Sequence, residues 1–173
     1  MGHNVQAIIT TETIDEADAE NLHLPIFNLE LGSLIGLHYS IIDYWADKTP
    51  MEYETYHDVL FIDCSIVQHF AQKLDIKKYA IIETAYFGGM GHQAATVYNN
   101  TQKIMPVRIC EGFPNRINFR IGKKPINKAL SLLGIPCTKS SDEFTTFGLQ
   151  NFRNMEDYFY NEDDELLWEA NSE

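Results

Sequence analysis

The sequence predicts a single α+β domain, an antiparallel sheet centred on residues 79–110 with helices packed on it. Three segments rich in β-branched and aromatic residues follow one another within that range, separated by a glycine cluster and by an Asn-Asn pair typical of a tight turn. Amphipathic helical patterns flank this meander at residues 64–74 and 125–133. A chain of 173 residues with 45% hydrophobic residues is long enough for one domain with a sizeable core.

The first third of the chain combines one clear strand pattern with several short segments. Residues 5–11 form a β-rich run with alternating side chains, which predicts a first strand. Thr13 is a candidate N-cap for a short acidic helix over residues 14–21. Further extended or helical segments are 26–29, 34–39 and 41–45. The segment 51–58 is polar and aromatic together and predicts no regular element.

The longer helices are marked by the residues at their ends. Asp63 precedes the helix over 64–74 and is a candidate N-cap. The helix over 125–133 begins with a proline and is followed by Gly134, which is the usual arrangement at the two ends of a helix. Ser141 is a candidate cap for a short acidic helix that the next glycine ends.

The predicted strands of the meander are 79–87, 94–98 and 103–110. Pro106 has no backbone N–H to donate, so the third strand should lie at an edge of the sheet or carry a bulge. We assign residues 1–160 to the domain and residues 161–173 to an acidic C-terminal tail.

Charge is sorted along the chain into three blocks. Residues 1–60 carry eleven carboxylates against one base, Lys48, for a net charge of −10. Residues 61–140 carry a net charge of +7, and residues 141–173 carry −9, which gives the total of −12. A strongly negative surface repels nucleic acid and membranes and attracts basic partners. We therefore expect neither nucleic acid nor a membrane as partner.

The sequence lacks the motifs that are typical of several classes of functional site. The cysteines, Cys64, Cys110 and Cys137, have no C-x-x-C spacing, and we interpret them as reduced thiols of a cytoplasmic protein. No secretion signal, membrane-span pattern, calcium loop or H-E-x-x-H motif occurs. We expect no metal, no cofactor and no catalytic residue.

Basic residues interleaved with aromatic residues in the middle of the chain can bind single-stranded nucleic acid. They are Arg108, Phe113, Arg116, Phe119, Arg120, Lys123, Lys124 and Lys128. The overall charge opposes that function, and we favour pairing of these bases with the acidic ends of the same chain.

Carboxylates and large aromatic residues occur together near residue 50. A purely solvating surface has no use for so many aromatic rings, whereas a recognition surface uses them as buried anchors and uses carboxylates to select the partner. The predicted partner-binding residues are Asp43, Tyr44, Asp47, Glu52, Tyr53, Glu54, Tyr56 and Asp58. Residues 155–164 repeat the mixture. Such a surface imitates nucleic acid toward the basic cleft of a nuclease.

The glycine cluster at 88–91 defines an alternative site. Its amides could form an anion nest, although a hairpin that needs glycine for its geometry explains the same residues. Polar side chains on either side of the turn could bind a ligand, or Glu83 and His92 could act as acid and base. This alternative ligand site consists of Glu83, Tyr86, His92 and Gln93.

The run from Ile82 to Ala95 and the segment from Pro125 to Gly134 resemble a group of small uncharacterised bacterial proteins. In that group a Glu-Thr-x-Tyr-Phe-Gly-Gly-x-Gly-x-Gln hairpin precedes a helix of the Ile-Asn-x-Ala-Leu type, and an Asp-Glu-Phe segment follows. The resemblance covers residues 62–150 and implies no activity for a particular residue. By size and acidity the chain is also similar to immunity proteins encoded beside bacterial toxins, including those of contact-dependent inhibition.

These observations favour a cytoplasmic, non-enzymatic immunity protein. It would form a heterodimer with a basic bacterial toxin domain, which we expect to be a nuclease. Occlusion of that domain would neutralise the toxin. The alternative is a small enzyme or ligand-binding protein that uses a pocket at the turn over residues 83–93. A structural oligomer, the third class, would show an apolar self-complementary patch.

Overall fold

The computed structural model describes residues 2–87, 90–111, 124–160 and 166–167, and its strands form one antiparallel sheet. In chain order the strands are β1 (His3–Thr10), β2 (Ile26–Leu29), β3 (Gly32–Gly36), β4 (Lys78–Phe87), β5 (Met90–Asn99) and β6 (Gln102–Glu111). Across the sheet the order is β2-β3-β1-β4-β5-β6. With helices packed on this sheet in a single domain, the predicted α+β class is confirmed.

The helices of the described ranges include both of the longer ones that the sequence predicts. In chain order they are α1 (Glu16–Glu20), α2 (Tyr39–Lys48), α3 (Ser65–Lys73), α4 (Pro125–Leu133) and α5 (Glu143–Phe147). Gly134 follows α4 in the left-handed conformation, with φ 99°, as expected for the residue after a helix. None of these helices is long and apolar enough to cross a lipid bilayer.

Two predicted helix caps are wrong by one or two residues. Asp15, not Thr13, caps α1, because its carboxylate accepts a hydrogen bond from the amide of Ala17. Asp142, not Ser141, caps α5 and accepts a hydrogen bond from the amide of Thr145. In both helices a carboxylate takes the position where the helix dipole favours negative charge.

The meander of β4, β5 and β6 is present, and β6 forms an edge of the sheet. Its pairing with β5 is irregular around Pro106, because Ala95 pairs with Arg108 whereas Val97 pairs with Met105. The expected edge position is therefore confirmed, and the register of this strand is irregular as well. The N-terminal strand β1 lies in the middle of the sheet, paired to β4 from His3 to Thr10 and to β3 on its other side.

Helices cover both faces of the sheet, which we name after the helices on them. On the α3 face, which carries Tyr79, Ile81 and Glu83 of β4, the Tyr79 hydroxyl donates to Gln68 of α3 at 2.5 Å. On the α4 face, which carries the alternate residues of β4, the side chain of Gln93 accepts from the first-turn amide of Ile126 at 3.4 Å. The core therefore has two halves, separated by the sheet.

Asp63 is not the N-cap of α3; Cys64 occupies that position. The Asp63 side chain is fully buried and accepts hydrogen bonds from the Tyr98 hydroxyl at 2.5 Å and from Lys103 Nζ at 2.7 Å. Because two donors from β5 and β6 reach it, the carboxylate turns toward the sheet and away from the helix. Burial, together with the hydrogen bond to Asp63, raises the pKa of Tyr98.

The predicted C-terminal tail lies mostly outside the described residues. Leu166 and Leu167 belong to the structure: Leu166 pairs with Tyr160, and the amide of Leu167 donates to the carbonyl of Phe159 at 3.0 Å. These two residues of the predicted tail thus contact the domain at Phe159 and Tyr160.

The Asp63 interaction can be tested by mutation. Asp63→Ala leaves the buried Tyr98 hydroxyl and the Lys103 ammonium without their acceptor, and we expect it to lower the free energy of unfolding by about 3 kcal/mol. Tyr98→Phe, which keeps the ion pair, should cost about 1 kcal/mol. Urea unfolding measures both, with Lys77→Ala, at the exposed pair with Asp75, as a control without measurable effect. A neutral Asp63→Ala variant would contradict this role.

Candidate interaction site

The candidate partner-binding residues lie within one stretch of chain, residues 43–61, which we name the acidic–aromatic segment. Its five carboxylates, Asp43, Asp47, Glu52, Glu54 and Asp58, are all exposed. The rings of Tyr53 and Tyr56 are exposed with them, and Phe61 exposes 50% of its surface. The structure therefore brings seven of the eight predicted residues to the surface.

Tyr44 is the exception in this set. It is half-buried in α2, and its hydroxyl accepts a hydrogen bond from Lys48 Nζ at 2.5 Å, one helical turn later. The ring also contacts His23, with centroids 5.5 Å apart. Tyr44 thus attaches α2 to the residues that follow α1 and offers little surface to a partner.

Backbone hydrogen bonds fix the irregular part of the segment. The amide of Tyr56 donates to the carbonyl of Asp63 at 2.7 Å, and the amide of Ser65 donates to the carbonyl of Glu54 at 2.8 Å. The Ser65 hydroxyl accepts from the amide of Glu54 and donates to the carbonyl of Glu52. Although residues 51–58 form no helix or strand of their own, the start of α3 holds them in one conformation.

The tyrosines of this region lie in a negative environment. The pKa of Tyr53 is raised by partial burial and by neighbouring Cys64 and Asp43. The pKa of Tyr39, the first residue of α2, is raised to about 12 by burial, by Glu83 and by Tyr53. A side-chain hydrogen bond with Glu83 contributes to the same increase in the pKa of Tyr39, an interaction that no sequence motif indicates.

A groove of about 490 Å³ adjoins the segment at Tyr56. Its other lining residues are Gln68, Gln72, Tyr98, Thr101 and Lys103. The floor is rigid, because the rings of Tyr79 and Tyr98 stack with centroids 5.4 Å apart and both hydroxyls are hydrogen-bonded. A partner side chain placed beside Tyr56 would meet this groove.

The sheet divides the alternative ligand site into two pairs. Glu83 and His92 lie on the α3 face, where His92 Nε2 is 2.8 Å from Glu83 Oε1. Tyr86 and Gln93 lie on the α4 face, where Gln93 Nε2 donates to the Tyr86 hydroxyl at 3.3 Å. Because successive side chains of a strand point to opposite faces, residues 83 and 86, like 92 and 93, cannot share one pocket.

Of the two carboxylate oxygens of Glu83, only Oε1 has a hydrogen-bond partner of ordinary geometry among the described residues. Its side chain is only 7% exposed, and its Oε2 atom is buried without a hydrogen-bond partner among the described residues. The side chain of His92 is 30% exposed, so one side of the pair faces solvent. A buried carboxylate oxygen without a donor is uncommon and requires an explanation.

A separate cavity of about 280 Å³ lies on the α4 face, between the end of the sheet and helices α4 and α5. It is lined by His3, Thr84, Tyr86, Gln93, Cys110, Lys124, Asn127, Asp142 and Phe144. Several of its polar groups bond one another: Asn127 donates to Asp142 at 2.9 Å, and Thr84 Oγ1 lies 2.6 Å from His3 Nδ1. Sequence analysis missed His3 and Asn127, which no local motif marks.

Two further expectations fall partly outside the described residues. The structure does not describe Gly88 and Gly89 of the proposed anion nest. It also does not describe residues 112–123 of the basic–aromatic stretch. Gly91 is described and has φ 149°, and a Cβ on it would lie 1.9 Å from the carbonyl oxygen of Ala85. Glycine at this position is therefore required by the close approach of β5 to β4.

No group of three His, Cys, Asp or Glu residues that could hold a metal ion occurs within the described ranges. Cys64 is buried, Cys110 half-buried and Cys137 exposed, and all three are free.

No protein-family model, curated protein or solved structure matches this chain. Its function is therefore inferred from its own residues and their arrangement.

Gly91 positions His92 on β5, and its replacement tests that geometry. We expect Gly91→Ala to lower the free energy of unfolding by about 2 kcal/mol or more, because the new Cβ meets the backbone of β4. Gly134→Ala is the matched control: it also has positive φ but no atom within 4 Å, and should cost about 1 kcal/mol. Equal losses in urea unfolding would show that crowding at Gly91 is unimportant.

His3 makes the stability of the α4 face dependent on pH. Burial lowers the pKa of His3 below its ordinary value of 6.5, so the unfolded chain takes up a proton first as the pH falls. The contribution of His3 to the free energy of unfolding is thus complete above pH 6.5 and decreases toward the folded-state pKa. Protonation also makes Nδ1 a donor, so it can no longer accept from Thr84.

We therefore expect His3→Asn to flatten the decrease in stability between about pH 7.5 and 5.5. Chemical unfolding at several pH values measures the slope. The other histidines with lowered pKa, His23, His38 and His69, preserve part of this slope. A variant with the slope of the original chain would contradict the assignment to His3.

Proposed function

We propose that this protein is a cytoplasmic immunity protein that binds a basic bacterial toxin domain, with a nuclease as the expected target, and neutralises it by occlusion. The observation that carries the proposal is the exposure of five carboxylates together with Tyr53, Tyr56 and Phe61 on the acidic–aromatic segment. The predicted similarity to immunity proteins of toxin systems agrees with this surface.

The composition of the segment is that of a recognition surface. Exposed aromatic rings provide large contact area at low conformational cost, and they dominate binding energy when a partner covers them. Carboxylates around them accelerate association with a basic protein and disfavour acidic ones. Both kinds of residue are displayed here on a backbone that hydrogen bonds to Asp63 and Ser65 hold in place.

Occlusion suits this arrangement because it needs no reacting group. A basic cleft that binds the phosphates of a nucleic acid binds an ordered row of carboxylates by the same electrostatic attraction. The partner is then blocked by coverage of its substrate surface. A heterodimer of the two proteins is the expected assembly.

A second function is supported by the Glu83–His92 contact. A carboxylate 2.8 Å from an imidazole, with one oxygen buried and unpaired, is an arrangement that acid–base catalysts and ligand sites use. In that case the protein is a small enzyme or ligand-binding protein whose site contains Glu83 and His92 without Tyr86 and Gln93.

Charge reversal tests the proposed function. Tagged protein captures its partner from the source cell at low salt, mass spectrometry identifies the partner, and calorimetry measures the dissociation constant of the purified complex. We expect the triple variant Glu52→Lys, Glu54→Lys, Asp58→Lys to weaken the complex by about a hundredfold, because attraction becomes repulsion at the centre of the surface.

The matched control carries the same change in net charge elsewhere. Asp18, Glu20 and Glu30 are exposed and lie outside the acidic–aromatic segment, and their reversal to lysine should change affinity by about threefold or less. If the first triple variant still neutralises the toxin fully, or if both variants lose affinity equally, the segment is not the binding surface.

A further inference from the structure

The cavity between the end of the sheet and helices α4 and α5, which we name the α4 cavity, has a rigid polar wall. His3 Nε2 lies 3.3 Å from the carbonyl oxygen of Leu149, which only accepts, so Nε2 carries the proton and Nδ1 accepts from the Thr84 hydroxyl. Thr84 Oγ1 accepts in turn from the amide of Val5 at 3.1 Å. Both lining side chains are therefore fixed in one orientation.

Gln93 joins this wall to the first turn of α4. Its Oε1 accepts from the amide of Ile126, so its Nε2 is the atom that donates to the Tyr86 hydroxyl. The orientation of the Gln93 amide is thus determined by a backbone donor. The proton of the Tyr86 hydroxyl has no acceptor among the described residues, and Tyr86 lines the cavity as a donor.

Asn127 presents an acceptor to the same cavity. It is only 8% exposed, and its Nδ2 donates to the carboxylate of Asp142, which fixes the side-chain amide in one orientation. Its Oδ1 has no hydrogen-bond partner in the described part of the chain. That oxygen is still accessible, because the described side-chain atoms buried without a partner belong to Gln68, Glu83 and Thr146. Since Asn127 lines the cavity, a ligand there reaches Oδ1.

The charges of the α4 cavity balance one another. Lys124 and Asp142 are both exposed and line it with opposite charges. His3 is neutral at neutral pH, because burial lowers its pKa. An ionised ligand would lose hydration in the cavity without meeting an unbalanced charge of opposite sign. The cavity therefore favours an uncharged ligand.

The size and the aromatic lining of the cavity favour a small planar molecule. Its volume of about 280 Å³ lies just below the roughly 300–1,000 Å³ of pockets for drug-sized ligands. The rings of His3 and Phe144 line it, with centroids 5.5 Å apart. Aromatic side chains pack well against flat ring systems. One small ring system with polar groups at its edge matches this space.

We infer that the α4 cavity binds a small, uncharged, planar heteroaromatic ligand that carries an amide or lactam group. The N–H of that group donates to Asn127 Oδ1, and its carbonyl oxygen accepts from the Tyr86 hydroxyl. The ring of the ligand packs on Phe144. Nucleobases and pyridine carboxamides share this chemistry. The inference goes beyond the proposed function, since the acidic–aromatic segment adjoins the other face of the sheet at Tyr56.

Two probes test the site and distinguish its two possible classes of ligand. The full chain, labelled with ¹⁵N, is titrated at neutral pH with nicotinamide and with uracil and followed by NMR. We expect saturable shifts of the side-chain amide signals of Gln93 and Asn127 with at least one probe, and the tighter probe identifies the class. Absence of saturable shifts with both probes would overturn the inference.

Matched probes test the role of the amide group. N,N-dimethylnicotinamide and dimethyluracil, methylated at both ring nitrogens, keep the carbonyl groups but lack the N–H donor. Nicotinate replaces the amide by a charged carboxylate. We expect each to bind about tenfold or more weakly than its parent, because Asn127 Oδ1 loses its donor or an ion is desolvated. Equal affinity of the methylated and parent probes would overturn the inference.

Mutation tests the assignment to Asn127. Asn127→Ala removes the acceptor and should weaken the tighter probe by about tenfold or more. Asn154→Ala is the matched control, because Asn154 donates to the carboxylate of Asp157 at 2.6 Å in the same way but lies outside the cavity. It should change probe affinity by about twofold or less. Equal losses in the two variants would overturn the inference.

A second variant keeps the test decisive if Asn127→Ala loses the dispersed NMR spectrum of the folded chain. Tyr86→Phe keeps the ring and removes only the hydroxyl that donates to the ligand, and we expect a loss of about fivefold in probe affinity. Unchanged affinity in Tyr86→Phe would contradict the assigned contact and overturn the inference.

The two proposals fail independently. Probe binding concerns the α4 cavity alone, and reversal of Glu52, Glu54 and Asp58 concerns the acidic–aromatic segment alone. If a probe binds as expected while that reversal leaves the toxin complex intact, the proposed function fails and the ligand site stands. If the reversal weakens the complex while neither probe binds, the ligand site fails alone.

Discussion

The buried carboxylate of Asp63 is the interaction on which the proposed functional surface depends. It lies between the acidic–aromatic segment and α3, and its two donors come from neighbouring strands at the edge of the sheet. Its backbone carbonyl accepts the amide of Tyr56 at the same time. One residue therefore connects an irregular surface segment to the most regular part of the fold, and the conformation of that segment follows from the position of β5 and β6.

The sheet separates the molecule into two chemical environments. On the α4 face the cavity contains His3, Thr84, Asn127 and Asp142, whose polar groups largely satisfy one another. On the α3 face one oxygen of Glu83 is unsatisfied, and exposed aromatic residues lie nearby. A network that is already satisfied stabilises the fold, whereas an unsatisfied buried group gains free energy when a ligand supplies the missing donor. The acidic–aromatic segment adjoins the α3 face at Tyr56, beside Tyr98 and Lys103, and the proposed recognition surface is therefore on that side of the sheet.

Local signals in the sequence predict part of this structure well. The proline and glycine at the ends of α4 act through the conformations that these residues prefer, and so the helix could be assigned without knowledge of its neighbours. Pro106 likewise predicts an irregular edge strand because it lacks a donor. The exposure of the carboxylates near residue 50 follows from the cost of burying charge.

Other features depend on residues that are distant in the chain. Asp63 resembles a helix cap until Tyr98 and Lys103 are brought to it, and their separations of 35 and 40 residues leave no local pattern. Tyr39 and Glu83 are 44 residues apart in the chain, so their mutual influence leaves no local pattern either. The division of Glu83 and His92 from Tyr86 and Gln93 is different. Strand alternation alone determines it, and the sequence contains that information.

The central position of β1 affects how the chain acquires this fold. His3 and Thr84 are in contact although 81 residues separate them, and Thr10 bonds to Lys78 across 68 residues. β1 leaves the ribosome before β4 and therefore waits for it, on the order of several seconds at roughly 5–20 residues per second. Until then the apolar run Ala7 to Ile9 has an unpaired edge. Delayed pairing of this kind slows folding and exposes the nascent chain to association with other chains or chaperones.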